Sequence, residues 1–227
     1  MKKHEAGGTD MGDLIGGAMS NDSLFGKIMT KAGIIVAANI LFMISTVPVV
    51  TAGAGFAALH YTILKSLRGD GEINPFKTFW QGLKDNWKQA TAVWLILLGI
   101  SALLGLEWYW CEQFGGMFLK FRYAFPVIAV GMTAAGLYIY PVMAAFKGAV
   151  LQHLCSSIYF AFHRPLKLIV IVFFSIVPLV MTYMNPGMMP LYGFLWTTCG
   201  FSLICLLTDT LLLKEFSSYL PEDHEEI

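Results

Sequence analysis

Asn39, His60 and Asp209 are polar side chains set inside long apolar runs of this sequence. A polar group held in hydrocarbon is costly unless something satisfies it, so such residues are the first candidates for a functional site. Asn supplies both a donor and an acceptor. His takes up or releases a proton near neutral pH. Asp carries a charge that needs a counter-charge or water. Together they could hold a proton or a hydrogen-bonding solute. A structural reading stands beside this one. If the chain turns near Val50, Asn39 and His60 lie at similar depth, and a hydrogen bond between them would fix the register of a helical hairpin. Asp209, five residues before Lys214 and so ~7 Å from a helix end, could pair with Lys31, Arg68 or Lys88.

Other chemistry finds no support. The sequence has no HExxH, GxSxG or GxxxxGK[ST] motif. Its histidines lack metal-ligand spacing: His4 and His224 fall in the tails, while His153 and His163 flank one short segment. Cys111, Cys155, Cys199 and Cys205 form no CxxC pair and read as small packing hydrophobes. The expectation is a non-enzymatic chain with no catalytic residues, no metal and no cofactor.

The elements that must position the polar residues are membrane helices. Hydrophobic residues make up 56% of the 227, charged residues 13%, and the mean hydropathy is +0.63. Soluble domains carry about 25% charge. A net charge of zero gives no reason to invoke nucleic acid. Residues 1–23 have no apolar core after Lys2 and Lys3, so no signal peptide is read there. Gly33–Leu67 is almost uncharged; as one helix it would rise ~50 Å, too long for a ~30 Å hydrocarbon core. Pro48 and the patch Thr51-Ala52-Gly53-Ala54-Gly55 divide it into a hairpin whose second member runs from about Ala52 to Leu67. Four further spans follow, at about Gln89–Trp108, Ala124–Phe146, Leu168–Tyr183 and Leu191–Leu213.

The cations fix the sidedness. With six spans and both termini cytoplasmic, the inner segments hold Lys2, Lys3, Lys27, Lys31, Lys65, Arg68, Lys77, Lys84, Lys88, Lys147, Arg164, Lys167 and Lys214, thirteen of fifteen. Only Lys120 and Arg122 lie outside, which is the asymmetry that the positive-inside rule demands. A single crossing of Gly33–Leu67 would give six against nine instead. The expected fold is therefore an all-α, polytopic membrane bundle of six transmembrane helices with in-plane amphipathic cytoplasmic helices, placed in the cell membrane. A polar tail at 1–22 precedes the single domain at 23–220, and an acidic tail at 221–227 follows it.

Two in-plane helices are expected. Asn74-Pro75 opens the first, with Asn as N-cap and Pro at the first helical position. Phe76, Phe79, Trp80, Leu83 and Trp87 then form an aromatic stripe, with Lys77, Lys84, Asp85 and Lys88 mostly on the other face. Such a helix lies at the headgroup level, and Phe76, Phe79, Trp80, Lys84, Trp87 and Lys88 form a candidate face for docking a partner. Gly148–Phe162, too short and too polar to span, is the second, ended by Pro165. Ser23–Thr30 carries a similar apolar side, and Glu107 and Glu112 join Trp108, Tyr109 and Trp110 in an outer aromatic belt. A short echo links Ile44–Thr51 with Phe174–Thr182, each centred on a proline.

The order of these features resembles the YesL family of small bacterial integral membrane proteins. The residues that carry the resemblance are Pro48-Val49-Val50-Thr51-Ala52-Gly53-Ala54, Ala58-Leu59-His60-Tyr61, Arg68-Gly69, Phe79, Lys84-Asp85-Asn86-Trp87-Lys88-Gln89, Tyr140-Pro141-Val142-Met143-Ala144-Ala145-Phe146 and Gly200-Phe201-Ser202. Ala145 departs from it, standing where the family often has arginine. The resemblance implies an accessory or scaffold role beside carbohydrate uptake, with a carbohydrate ABC transporter or a sensor kinase as partner in the bilayer. The alternative is a small-solute transporter or channel for a sugar or an ion, built on Asn39, His60 and Asp209.

Overall fold

The computed structural model of the chain describes residues 24–69, 73–114 and 124–219, and the regular structure among these residues is entirely helical. The tails expected at 1–22 and 221–227, and the outer cations Lys120 and Arg122, lie outside the described residues. The helices are α1 (Leu24–Thr46), α2 (Ala52–Arg68), α3 (Pro75–Phe114), α4 (Ala124–Ala145), α5 (Val150–His163), α6 (Pro165–Met184), α7 (Met189–Leu195) and α8 (Phe201–Phe216). A π-helical turn, Trp196–Gly200, joins α7 to α8. Five stretches are long and apolar enough to cross a membrane: Phe25–Thr46, Pro75–Phe114, Ile128–Ala145, Pro165–Met184 and Pro186–Phe216. Their outer faces carry Ile40, Leu103, Val130, Phe173 and Leu203 exposed, an exterior that suits lipid.

The chain reverses where the sequence placed the turn. Pro48 cannot continue α1, and the 3-10 turn Val49–Thr51 leads into α2. The Thr51 hydroxyl donates to the Ser45 carbonyl at 2.6 Å and closes the corner. At 17 residues α2 is ~26 Å long. It is the central helix of the bundle, buried from Ala52 to Leu64 except at Phe56, and packed against α1, α3, α4 and α8. Its composition permits this, because Gly53, Ala54, Ala57 and Ala58 let neighbouring backbones come close. A Cβ on Gly53 would collide with the Ala90 carbonyl and the Trp94 Cβ of α3; one on Gly82 would meet the Tyr61 ring at 2.9 Å. These two approaches fix α2 and α3 as an antiparallel pair.

That pairing changes the reading of the aromatic stripe. The sequence separates an in-plane helix at 74–88 from a span at 89–108, whereas α3 is one helix of 40 residues. No proline interrupts it beyond its first residue, and its first half already has a partner along its length in α2, so nothing bends it into the membrane plane. Asn74 caps it as expected, its Oδ1 accepting from the Phe76 and Lys77 amides at 3.1 and 3.2 Å. Phe79 leaves the proposed docking face: it is 2% exposed, packed in a core with Ala38, Phe42, Leu59 and Ile63. Phe76, Trp80 and Trp87 stay exposed at 63%, 57% and 49%, with Lys84 and Lys88 beside them. Likewise the apolar side at Ser23–Thr30 is simply the start of α1.

At 14 residues α5 is ~21 Å long, short of a full crossing. His153, Ser157, Phe160 and Ala161 form its buried stripe, and Phe160 packs edge-on against Phe216 of α8. Pro165 ends α5 as expected, holding Arg164 out of the helical region, and is also the first residue of α6. At the base, Glu215 of α8 pairs with Arg164 at 3.1 Å and Lys167 at 2.8 Å, which clamps α6 to α8. The proline echo does not mark equivalent positions: Pro48 breaks its helix, while Pro178 stays inside α6.

The Gly53 approach predicts a steric test. Gly53→Leu should lower the unfolding midpoint in detergent, since overpacking costs about 1–3 kcal/mol, whereas Gly99→Leu, at a position with nothing within 4 Å, should leave it unchanged. Equal midpoints for the two variants would refute the close α2–α3 contact.

Candidate functional site

His60 sits on the face of α2 that meets α8. Its Nδ1 lies 2.8 Å from Oδ1 of Asp209, and its Nε2 lies 3.5 Å from Sγ of Cys205. Cys205 and Asp209 are one helical turn apart on α8, so both reach the same ring from one face. All three are buried. The sequence picked out His60 and Asp209 but not their pairing. It looked to Lys31, Arg68 or Lys88 for Asp209, and the actual hydrogen-bonding partner is the histidine. Asp209 Oδ2 has no hydrogen-bond partner. The cysteine was read as a packing hydrophobe, and its contact with His60 left no trace in the sequence beyond an i, i+4 spacing from Asp209.

Asn39 has a different task. Its Nδ2 donates to the carbonyls of Trp196 and Thr197 at 2.9 and 2.8 Å, and its Oδ1 accepts from the Ser202 amide at 3.0 Å. A π-helical turn disturbs the regular i→i−4 ladder and leaves backbone groups in need of partners. Asn39 supplies them, using both ends of its amide. The side chain therefore ties α1 to the α7–α8 junction, and the expected bond to His60 is absent because His60 turns toward α8.

A cavity of about 460 Å³ opens beside the pair. Phe56, Trp94, Tyr140, Trp196 and Phe201 form aromatic walls; His60, Cys205, Thr208 and Ser175 add polar groups. The Tyr140 and Ser175 side-chain oxygens are buried there without hydrogen-bond partners. An apolar body with a few convergent polar groups is the usual character of a small-molecule site. Tyr140 stacks on Phe56 with ring centroids 5.5 Å apart, so the wall is rigid as well as apolar.

The order Asp209–His60–Cys205 is also that of an orienter, a base and a thiol. Acyl chemistry needs donors aimed at a developing oxyanion as well. The backbone amides around Cys205 lie inside the continuous helix α8 and are engaged in it, so the arrangement favours holding a proton or a polar ligand. Among the described residues no group of three or more His, Cys, Asp or Glu could hold a metal ion.

Residues 35–108 match a family described as a protein of unknown function, DUF624. The matched stretch, 74 of 227 residues, carries Asn39 and His60 and most of α3; Cys205 and Asp209 lie beyond it. No curated protein and no solved structure shows significant similarity to the chain. The long apolar helices and the family segment together fit a membrane protein of unestablished activity.

Removing one member of a buried ionic pair typically costs 3–5 kcal/mol, because the other is left uncompensated. His60→Ala should therefore cost about 3 kcal/mol. Asp209→Asn, which can still hydrogen-bond a neutral imidazole, should cost clearly less. Thermal unfolding in detergent decides the matter: a loss for Asp209→Asn as large as that for His60→Ala would show that the charge on Asp209, and not the hydrogen bond, carries the pair.

Proposed function

We propose that this chain is a multi-pass protein of the cell membrane that binds a small hydrogen-bonding solute in the aromatic cavity, with His60 and Asp209 as the proton-holding centre of its passage across the bilayer. In this reading α1 and α2 form a hairpin that returns to the inner side, the chain makes six crossings, and both termini are cytoplasmic. The thirteen-to-two division of cations supports that sidedness. The observation that carries the reading is the cavity of about 460 Å³ that reaches His60. A scaffold has no need of one, whereas a carrier requires a space in which partnerless polar groups such as the Tyr140 hydroxyl meet a solute. Proteoliposomes tested with labelled neutral sugars, and with an internal pH indicator, should take up at least one of these above empty vesicles. His60→Ala and Asp209→Ala should reduce uptake at least tenfold; unaltered uptake in both variants would remove the pair from the mechanism.

A second reading rests on a separate observation. Phe76, Trp80 and Trp87 remain exposed beside Lys84 and Lys88 on one side of α3, a surface that suits a membrane-level partner. The YesL resemblance adds the expectation of an accessory protein acting beside carbohydrate uptake, with a carbohydrate ABC transporter subunit or a sensor kinase as partner. Affinity purification in mild detergent from sugar-induced cells should then recover such a subunit with the wild-type chain and lose it with Trp80→Ala. Recovery of neither, together with solute uptake in vesicles, would decide for the carrier.

A further inference from the structure

A second cavity, of about 450 Å³, lies at the other end of α2, between that helix, α3, and the connection from α4 to α5. Its character is opposite to that of the aromatic one. Lys65 and Arg68 enter it from the last turn of α2, Asp85 and Gln89 from α3, Lys147 from the α4–α5 connection, and His153 from α5. The side-chain amide of Gln89 donates to the Gly148 carbonyl at 3.2 Å, which ties the connection bearing Lys147 to α3.

Lysines and arginines at helix ends are ordinarily solvated anchors, and Lys65 and Lys147 alone would be read so. Arg68 differs. Its Nη2 is enclosed by the protein and has no hydrogen-bond partner. A buried guanidinium nitrogen without an acceptor is costly. It makes no bond to Asp209, whose Oδ1 is held by His60 and whose Oδ2 is itself without a partner. Burial lowers the pKa of His153 below its ordinary value, so at neutral pH this ring adds a polar group without a charge. Three cations then face a single carboxylate, Asp85, which leaves a surplus of two positive charges in the cavity.

We propose that this cavity binds a phosphomonoester dianion, gripped by the Arg68 fork and flanked by Lys65 and Lys147. A phosphomonoester carries about −1.5 to −2 charges at neutral pH, which matches the surplus, and its tetrahedral oxygens suit a guanidinium set among point charges. The ligand is either a soluble phosphate ester or the headgroup of a phosphatidic-acid-like lipid, since the cavity sits at the helix ends. This cavity shares no lining residue with the aromatic one, and the proposal does not rest on what that cavity carries.

Two probes separate the sources. Inorganic phosphate is titrated into the purified full chain and followed by thermal shift, against chloride at equal ionic strength. Native mass spectrometry then measures retention of phosphatidic acid over phosphatidylcholine from mixed micelles. A phosphate-specific shift identifies a soluble ligand; selective retention of phosphatidic acid without it identifies a lipid. In either case Arg68→Gln and Lys147→Gln should weaken binding at least tenfold. Arg68→Lys, which keeps the charge and loses the fork, should fall between them and wild type. Lys147 lies in a connection, so its variant keeps the test open if Arg68→Gln fails to fold. No response to either probe, or binding that survives both substitutions, would overturn the site.

Discussion

Everything in this bundle is arranged around one buried contact, the 2.8 Å link between His60 on α2 and Asp209 on α8. The two residues are 149 positions apart in the sequence, so the contact can form only when the hairpin at one end of the chain has packed against the helix at the other. In an apolar setting neither group tolerates solitude. An uncompensated carboxylate or imidazolium is far more costly there than the pair. The pair thus selects one packing of α2 against α8 from the many that apolar surfaces alone would allow. Van der Waals contact between helices in lipid is weakly directional, and polar contacts of this kind supply the direction.

The small residues of α2 act in the same sense from its other side. With Gly53 against Ala90 and Gly82 against Tyr61, α2 and α3 are in close contact at these two levels. Space remains where the facing residues are large and cannot interleave. Phe56, Tyr140, Trp196 and Phe201 hold their helices apart, and the aromatic cavity is the result. Tight packing at one face of α2 and loose packing at another are thus two outcomes of residue size along a single helix.

Much of this could be read from the sequence, and what could not has a physical reason. The hairpin at Pro48, the cap at Asn74 and the later spans depend on local chemistry: a missing amide hydrogen, a side-chain acceptor, and runs of apolar residues. His60 and Asp209 were visible because any polar residue in such a run is conspicuous. Their pairing was not, since it depends on which faces of α2 and α8 meet, and apolar residues surround both helices on all sides. Asn39 misled for the same reason. Its depth matched that of His60, but its direction was fixed by the π-helical turn at Trp196–Gly200, which no residue pattern announces. Phe79 was assigned to the exposed stripe because periodicity gives a face and not its neighbour; α2 occupies that face. Lys65 and Lys147 counted in the sequence only as markers of sidedness, and Arg68 as that and as one of three candidate partners for Asp209. Their convergence on one cavity needs α4 to end beside α2.

Helix α2 links the two cavities. His60 and Arg68 are eight residues apart on it, ~12 Å along the axis; the first lines the aromatic cavity and the second the cationic one. The unpartnered oxygen of Tyr140 at one cavity and the unpartnered nitrogen of Arg68 at the other are buried polar groups left incomplete. A protein that needed only rigidity would be more stable with both satisfied or both replaced by apolar groups. Incomplete polar groups enclosed in a tight bundle are instead what a binding protein retains, because the missing partner is supplied by the ligand.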